Sequence, residues 1–143
     1  MKIYSDEINW KGIGDYLSAA RTLIDHGSSN TSGPRILCQG LALELALKFY
    51  LWETSGTYPG THDLEALATG HCQDLQFSDE ELASIKHLNR QYLEDGVYPY
   101  PSRYRPNAMR IFTSMSQPTL EGLIARIVRS TSKSDLVERI LSR

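Results

Sequence analysis

Residues 34–56 read PRILCQGLALELALKFYLWETSG and form the longest apolar run in the chain. Leu, Ala, Glu and Lys dominate this run, and all four favour the helical conformation. Pro34 suits a first helical turn, where its missing N–H is not needed, and Ser32 or Gly33 can serve as the N-cap. Gly56 suits the left-handed position that ends many helices. The run therefore predicts one long helix.

Apolar side chains surround most of this helix. One face carries Leu37, Leu41, Leu45, Phe49 and Trp52, and the other faces carry Leu43, Ala46, Leu47, Tyr50 and Leu51. A helix that is apolar nearly all round is buried either by other helices or by lipid. Charged residues interrupt the run, so it falls short of the roughly 18 apolar residues that a membrane span needs. We therefore predict a central helix covered by other helices, with no membrane association.

Two further helices are predicted around the central one. Apolar residues recur at helical spacing from about Asp6 or Asn9 to His26, which predicts the first helix. After the turn at residues 57–60, Thr61 is predicted to cap a short helix that carries Asp63 in its first turn and stops near Gly70.

The capping box formed by Ser78 and Glu81 predicts a helix over residues 79–95 that Gly96 closes. Three prolines between residues 99 and 106 exclude helix there and predict an aromatic loop. Asn107 is predicted to cap a short helix over residues 108–115, AMRIFTSM.

Two apolar stripes predict C-terminal helices. Pro118 suits the first turn of one, and Ser132 or Ser134 is predicted to cap the other. The stripes consist of Leu120, Leu123, Ile124, Ile127 and Val128, followed by Leu136, Val137, Ile140 and Leu141. In total the sequence predicts five or six helices and no strand, which is an all-α fold.

Length and charge limit the architecture. A chain of 143 residues is typical of a single domain. Residues 1–95 hold 7 Lys and Arg against 14 Asp and Glu, whereas residues 96–143 hold 8 against 3. The asymmetry indicates either a phosphate-seeking C-terminal face or acidic and basic helices that attract each other within one fold, and the second interpretation is favoured.

Cysteine usage predicts a cytoplasmic protein. The chain has two cysteines, Cys38 and Cys72, which are too few for a disulfide framework. Cys38 is expected to be a small buried apolar residue of the central helix. The first ten residues, MKIYSDEINW, are too polar for the apolar region of a signal peptide.

One polar stripe runs along the central helix. Gly40, Glu44 and Lys48 fall at intervals of four residues, and Glu before Lys is the favourable order for a helical ion pair. One interpretation is a charged strip that lines a ligand groove, with Gly40 permitting close approach. The other is the solvent-facing edge of the helix, which is favoured because buried charges are rare.

Two other groups of residues suggest ligand binding. His62 and Asp63 open the short helix, where an imidazole can contact an anion; the alternative is an exposed His62 beside an Asp63 that offsets the helix dipole. Arg103, Tyr104 and Arg105, with Arg110, combine guanidinium groups that match phosphates with a ring that stacks on bases. The alternative is a loop held by its tyrosines with solvated arginines.

The histidines and cysteines lack the spacing of a metal site. His62, His71 and Cys72 contain neither a C-x-x-C nor an H-x₃-H pair. Glycine-rich phosphate loops and the G-x-S-x-G motif are also absent from the sequence. We predict no metal, no cofactor and no catalytic residue.

As a set, these motifs resemble the HEPN superfamily of helical bundles. The resemblance rests on ALELALKFYLW, GTHDLEAL, a helix ending in LNRQYLEDGVY, and SRYRP, and it covers about residues 10–106. It implies an up-down bundle of four core helices, with residues 107–143 as a C-terminal helical extension of the same domain. Ligand-binding positions implied by the family motifs are Glu44, Lys48, His62, Asp63, Arg103, Tyr104 and Arg105.

HEPN-like proteins include toxin ribonucleases, nucleotide-binding modules and partners of minimal nucleotidyltransferases. The ribonuclease members carry an Arg followed after four to six residues by His on a later helix. Here Arg21 and His26 match that spacing on the first helix, where about 500° of rotation places their side chains about 140° apart, so we interpret the match as chance.

The leading hypothesis is therefore a non-catalytic module that binds a nucleotide-like or polyanionic ligand such as RNA. The alternatives are a toxin-type ribonuclease that uses His62 or His26, and a purely structural dimerisation or adaptor domain. The resemblance also implies a nucleotidyltransferase as a protein partner. Because residues 10–95 would already fill a four-helix core, the C-terminal stripes must cover a side of the bundle or meet another chain, and we predict a homodimer.

Overall fold

The structure is a computed structural model that describes residues 6–26, 32–93 and 115–143. Every regular element in these ranges is helical, which confirms the all-α prediction. The helices are α1 (Asp6–His26), α2 (Ser32–Ser55), α3 (Leu64–Ala66), α4 (Asp79–Tyr92), α5 (Gln117–Arg129) and α6 (Leu136–Leu141). Helix α3 continues into a π-helical turn, Leu67–His71, and a 3₁₀ turn, Gln73–Leu75, follows.

Helix α2 is the central helix, as predicted, and it packs against α1, α4 and α5. Its most deeply buried side chains include Leu43, Leu47 and Phe49, all with no exposed surface. Leu41 and Leu45 are only partly buried, although Phe49 on the same face has no exposed surface. Leu45 instead contacts α1, where its Cδ1 atom lies 3.1 Å from the position that a Cβ on Gly12 would occupy.

The sequence predicted the C-terminal end of α2 correctly, whereas the helix begins earlier than predicted. Gly56 has φ of +75° and its N–H donates to the Trp52 carbonyl, so it ends the helix as predicted. The helix begins at Ser32, two residues before Pro34, so Ser32 and Gly33 lie within the helix.

The capping box of α4 is confirmed. The Glu81 N–H donates to Ser78 Oγ at 3.1 Å, and the Ser78 N–H donates to Glu81 Oε1 at 2.8 Å. Helix α4 ends at Tyr92, before the predicted end at residue 95, because Leu93 already has extended backbone angles. The predicted cap of α3 was also displaced: Asp63 is the N-cap, and Thr61 Oγ1 accepts a hydrogen bond from the Asp63 N–H.

The C-terminal helices belong to the core of their own chain. Leu120, Leu123, Ile124, Ile127 and Val128 of α5, and Leu136, Val137 and Ile140 of α6, are all buried. Helix α5 packs against α2, and α6 packs against α1 and α5. The expectation that residues 10–95 would fill the core by themselves was therefore wrong, because α5 supplies one wall around α2. Helix α6 is preceded by Asp135, which makes no side-chain cap bond, rather than capped by Ser132 or Ser134.

A buried glutamine holds the backbone just before α5 in place. Gln39 has no exposed surface; its Nε2 donates to the Met115 carbonyl at 2.7 Å, and its Oε1 accepts from the Met115 N–H at 3.1 Å. Both polar groups of the side chain are thereby paired with backbone, as burial requires. Ser116 then caps α5 by accepting from the Thr119 N–H, and Pro118 occupies the first turn as predicted.

Ion pairs within the fold join some of the basic C-terminal residues to acidic residues earlier in the chain. Arg126 lies 3.5 Å from Glu81, Lys133 lies 3.4 Å from Glu53, and Arg143 lies 2.9 Å from Asp15. Each pair joins a C-terminal cation to a carboxylate of the first 95 residues, as the favoured interpretation predicted. Because these side chains are partly exposed, each pair is expected to contribute only about 0–1 kcal/mol.

Two sequence predictions concern cysteines and membranes. Cys72 is buried, whereas Cys38 is only partly buried, so the prediction of a buried Cys38 was only partly correct.

Within the described residues, no helix has both the length and the apolar character that crossing a membrane requires. The predicted aromatic loop lies outside the described residues, as does the predicted short helix after Asn107 except for its last residue, Met115.

Truncating the deep face of α2 should destabilise the protein more than truncating its partly exposed face. Leu43→Ala removes a side chain with no exposed surface and is expected to lower the free energy of unfolding by about 2–5 kcal/mol. Leu41→Ala serves as the matched control and should cost less, because part of Leu41 is already in water. Urea denaturation of both variants measures the difference. Equal losses would contradict the burial described for α2.

Candidate functional site

A buried carboxylate, Glu44, lies at the centre of the polar stripe on α2. Only 5% of the residue is exposed. Its Oε2 accepts a hydrogen bond from Lys48 Nζ at 2.9 Å, and its Oε1 accepts one from the Tyr92 hydroxyl at 2.7 Å. His62 Nδ1 lies 3.0 Å from Oε2. A buried charge is tolerated only when it is paired and hydrogen-bonded, and these three partners meet that condition.

Lys48 is held inside the same cluster. It is 8% exposed, and its ammonium group lies 5.6 Å from the centroid of the Tyr58 ring as well as beside Glu44. The Trp52 ring contacts the Tyr58 ring edge-on, with centroids 6.4 Å apart. The interpretation of Glu44 and Lys48 as a solvent-facing edge of α2 was therefore wrong, because residues after the helix fold back over them.

Tyr92 of α4 closes the opposite side of the cluster. Its ring lies against Gly40, and a Cβ at that position would come within 2.1 Å of Tyr92 Cδ1. Burial and the neighbouring Glu44 carboxylate raise the pKa of Tyr92 above the usual phenol range, so its hydroxyl keeps its proton and donates to Glu44. The absence of a side chain at Gly40 thus permits close approach by the chain's own tyrosine.

His62 is the member of the cluster that reaches solvent. Its side chain is 37% exposed, while Glu44 beside it is 6% exposed. In a neutral ring that donates from Nδ1 to Glu44, Nε2 is an acceptor, and in a protonated ring Nε2 becomes a donor. Among the described residues Nε2 has no hydrogen-bond partner. The carboxylate therefore orients the imidazole while leaving one ring nitrogen accessible.

Asp63 has a structural role next to His62. Its Oδ1 accepts from the Ala66 N–H at 3.0 Å and from Asn89 Nδ2 at 2.9 Å. Asn89 Oδ1 in turn accepts from the Leu64 N–H at 2.9 Å. Asn89 is buried and joins α4 to the start of α3, which fixes the backbone on which His62 is carried.

The structure thus brings together four of the seven predicted ligand-binding residues. Glu44 contacts both Lys48 and His62, and Asp63 is adjacent to His62 but is occupied by the helix cap. Arg103, Tyr104 and Arg105 lie outside the described residues. Sequence reasoning singled out neither Tyr92 nor Asn89 as a site residue. The signal for Tyr92 was available, because a tyrosine within a buried stripe usually finds a partner for its hydroxyl.

A cleft of about 620 Å³ lies beside this cluster at the C-terminal end of α2. Tyr58 lines the cleft and also contacts Lys48, so the two features share one side chain. Tyr50 lines it from α2, and its hydroxyl donates to the Asp74 carboxylate. Burial, reinforced by that hydrogen bond, raises the pKa of Tyr50 to about 12.

The described residues contain no group of three or more His, Cys, Asp or Glu side chains arranged to hold a metal ion. No family model matches the chain, and no curated protein or solved structure matches it either.

The contact between Gly40 and Tyr92 gives a sharp prediction. Gly40→Ala places a methyl group inside the Tyr92 ring and is expected to lower the free energy of unfolding by about 1–3 kcal/mol, as overpacking does. Gly122→Ala is the control: no atom lies within 4 Å of the position that its Cβ would occupy, so it should stabilise α5 by about 0.4–1 kcal/mol. Chemical denaturation compares the two. A neutral Gly40→Ala would show that Tyr92 is not packed as described.

The ion pair between Glu44 and Lys48 gives a second prediction for this site. Glu44→Ala leaves a buried ammonium group without its partner and should cost about 3–5 kcal/mol. The double variant Glu44→Ala with Lys48→Met removes both charges and should be more stable than Glu44→Ala alone. A double-mutant cycle by urea denaturation measures this coupling. Strictly additive losses would mean that the two side chains do not interact.

Proposed function

We propose that this chain is a HEPN-like binding module, built on an up-down arrangement of core helices, that takes a nucleotide-like or polyanionic ligand beside His62. The observation that supports the proposal best is the contact of half-exposed His62 with buried Glu44. The carboxylate holds Nδ1, so the other ring nitrogen is presented in a defined orientation. Orientation of this kind lowers the entropy cost of binding.

The charges of the cluster agree with an anionic ligand. Glu44 and Lys48 neutralise each other at 2.9 Å, so protonation of His62 gives the cluster a net positive charge at the surface. A protonated imidazole donates from Nε2, and charge-assisted hydrogen bonds to phosphate are stronger than neutral ones. Lys48 itself is buried and paired, so it acts by balancing Glu44 rather than by contacting the ligand. Arg103, Tyr104 and Arg105 remain predicted ligand contacts.

Thermal denaturation with AMP, ADP, ATP and a short RNA tests the proposal. A nucleotide at one hundred times its dissociation constant should raise the free energy of unfolding by about 2.7 kcal/mol. His62→Ala should abolish the response, whereas His87→Ala, an exposed histidine on α4, should retain it. The proposal fails if no probe stabilises the wild type at millimolar concentration, or if His62→Ala responds like the wild type.

The alternative is a ribonuclease in which His62 acts as the acid or base. It is supported by the contact between Glu44 and His62, because a carboxylate on one ring nitrogen fixes the tautomer of the other. Labelled RNA incubated with the wild type, His62→Ala and His26→Ala distinguishes the two functions. Cleavage that one substitution abolishes favours the enzyme, whereas binding without cleavage favours the module.

The structure gives no support to Arg21 and His26 as a ribonuclease motif. Arg21 Nη2 lies 3.1 Å from Glu121 of α5 and 3.4 Å from the Leu141 carbonyl of α6. These contacts give Arg21 a structural role between α1 and the C-terminal helices. This agrees with the interpretation of the spacing from Arg21 to His26 as chance.

The remaining proposals concern partners. A nucleotidyltransferase partner and a structural adaptor role stay predictions, as does the homodimer. The apolar stripes that motivated the homodimer are buried within the chain itself, so its interface would need a different surface. A protein that neither binds a nucleotide nor cleaves RNA would favour the adaptor role, and pull-down of the partner would then identify the function.

A further inference from the structure

The cleft at the end of α2 offers hydrogen-bond acceptors and one negative charge. Its polar lining includes Tyr50, Thr54 and Ser55 of α2, together with His71 and Asp74. Among the described residues that line it, Asp74 is the one with a fixed charge, and His71 adds a charge only when protonated. A volume of about 620 Å³ lies within the range of small-molecule sites.

Three of the hydroxyl groups that line the cleft already donate their protons to acceptors inside the protein. Thr54 Oγ1 donates to the Tyr50 carbonyl at 2.8 Å, and Ser55 Oγ donates to the Leu51 carbonyl at 2.7 Å. The Tyr50 hydroxyl donates to Asp74. A hydroxyl whose proton is committed in this way can still accept a hydrogen bond through its oxygen lone pairs. These three groups therefore favour a ligand that donates hydrogen bonds.

Asp74 is the charged group that such a ligand would meet. Its Oδ2 accepts from Tyr50, which leaves Oδ1 without a hydrogen-bond partner in the part of the chain that the structure describes. The residue is exposed, whereas Tyr50 beneath it is 6% exposed, so a buried phenol orients an accessible carboxylate. The Asp74 charge also helps to raise the pKa of both Tyr50 and Cys72, behind burial as the larger cause.

Lys48, which lies beside the cleft, does not repel a cation bound there. Lys48 lies against the Tyr58 ring, which also lines the cleft, but its charge is balanced by Glu44 at 2.9 Å. With this pair neutral, the local charge is that of Asp74. A phosphate group would be repelled by Asp74 and would find no hydroxyl donor among Tyr50, Thr54 and Ser55.

We propose that this cleft binds a small organic cation, an amine or a guanidinium group, through the Asp74 carboxylate and the hydroxyl oxygens of α2. The site is distinct from the anion contact proposed at His62, and neither requires the other.

Calorimetric titration of the intact protein with putrescine and agmatine at low ionic strength tests this site. We expect saturable binding by the wild type that weakens about tenfold or more in Asp74→Asn, because a charge-assisted hydrogen bond is lost. Tyr50→Phe should weaken binding less, since it removes only the group that orients Asp74. His87→Ala, at an exposed position on α4 that does not line the cleft, should bind both cations as the wild type does.

Amide chemical-shift mapping of the wild type gives a readout that does not depend on any variant folding. Putrescine should shift the amides of Thr54, Ser55 and Asp74 together, with one dissociation constant. The proposal is overturned if neither cation binds at millimolar concentration, if Asp74→Asn binds equally well, or if shifts spread over all acidic surfaces. AMP binding that requires Asp74 would also overturn it, whereas AMP binding that requires His62 concerns the other site.

Discussion

The burial of the Glu44 carboxylate is the constraint on which the site depends. A carboxylate removed from water needs hydrogen-bond donors on its oxygens, and here they come from Lys48 on the same helix, Tyr92 on α4 and His62 before α3. Because the three donors lie on different parts of the chain, pairing the charge also joins those parts. Loss of Lys48 carries a large cost, since the Glu44 charge would stay buried without its ion-pair partner. The cluster therefore fixes one arrangement of α2, α3 and α4.

The position of α2 explains why its polar residues are paired within the protein. A helix surrounded by α1, α4 and α5 has little surface left for solvent. Gln39 is accordingly paired with Met115, and Glu44 with Lys48. Function at this site consequently has to be carried by groups that reach the surface while contacting the stripe. His62 is such a group, and its position depends on the residues that hold the start of α3.

The parts of the fold that the sequence predicted correctly are local in sequence. The capping box of Ser78 and Glu81, the left-handed Gly56 and the long apolar helix all depend on residues within a few positions of one another. The contacts that sequence reasoning missed join distant residues: Gly40 and Tyr92 are 52 positions apart. The rarity of buried charges favoured an exposed stripe, and only knowledge of the covering residues could reverse that. Likewise, α5 was assigned to an extension because the resemblance covers only about residues 10–106. Its periodicity shows an apolar face without showing what covers that face.

The end of α2 links the anion contact proposed at His62 to the cleft through a single turn of backbone. Gly56 adopts φ of +75°, a conformation that a side chain would make costly, and this reverses the chain direction after Ser55. The reversed segment places Tyr58 over Lys48 on one side and along the cleft on the other. The same turn then leads to His62, which reaches Glu44. The left-handed glycine therefore determines which polar groups of α2 are covered and which remain open. Because Tyr58 lies between a neutral ion pair and the Asp74 carboxylate, the two proposed sites can prefer ligands of opposite charge at neighbouring positions.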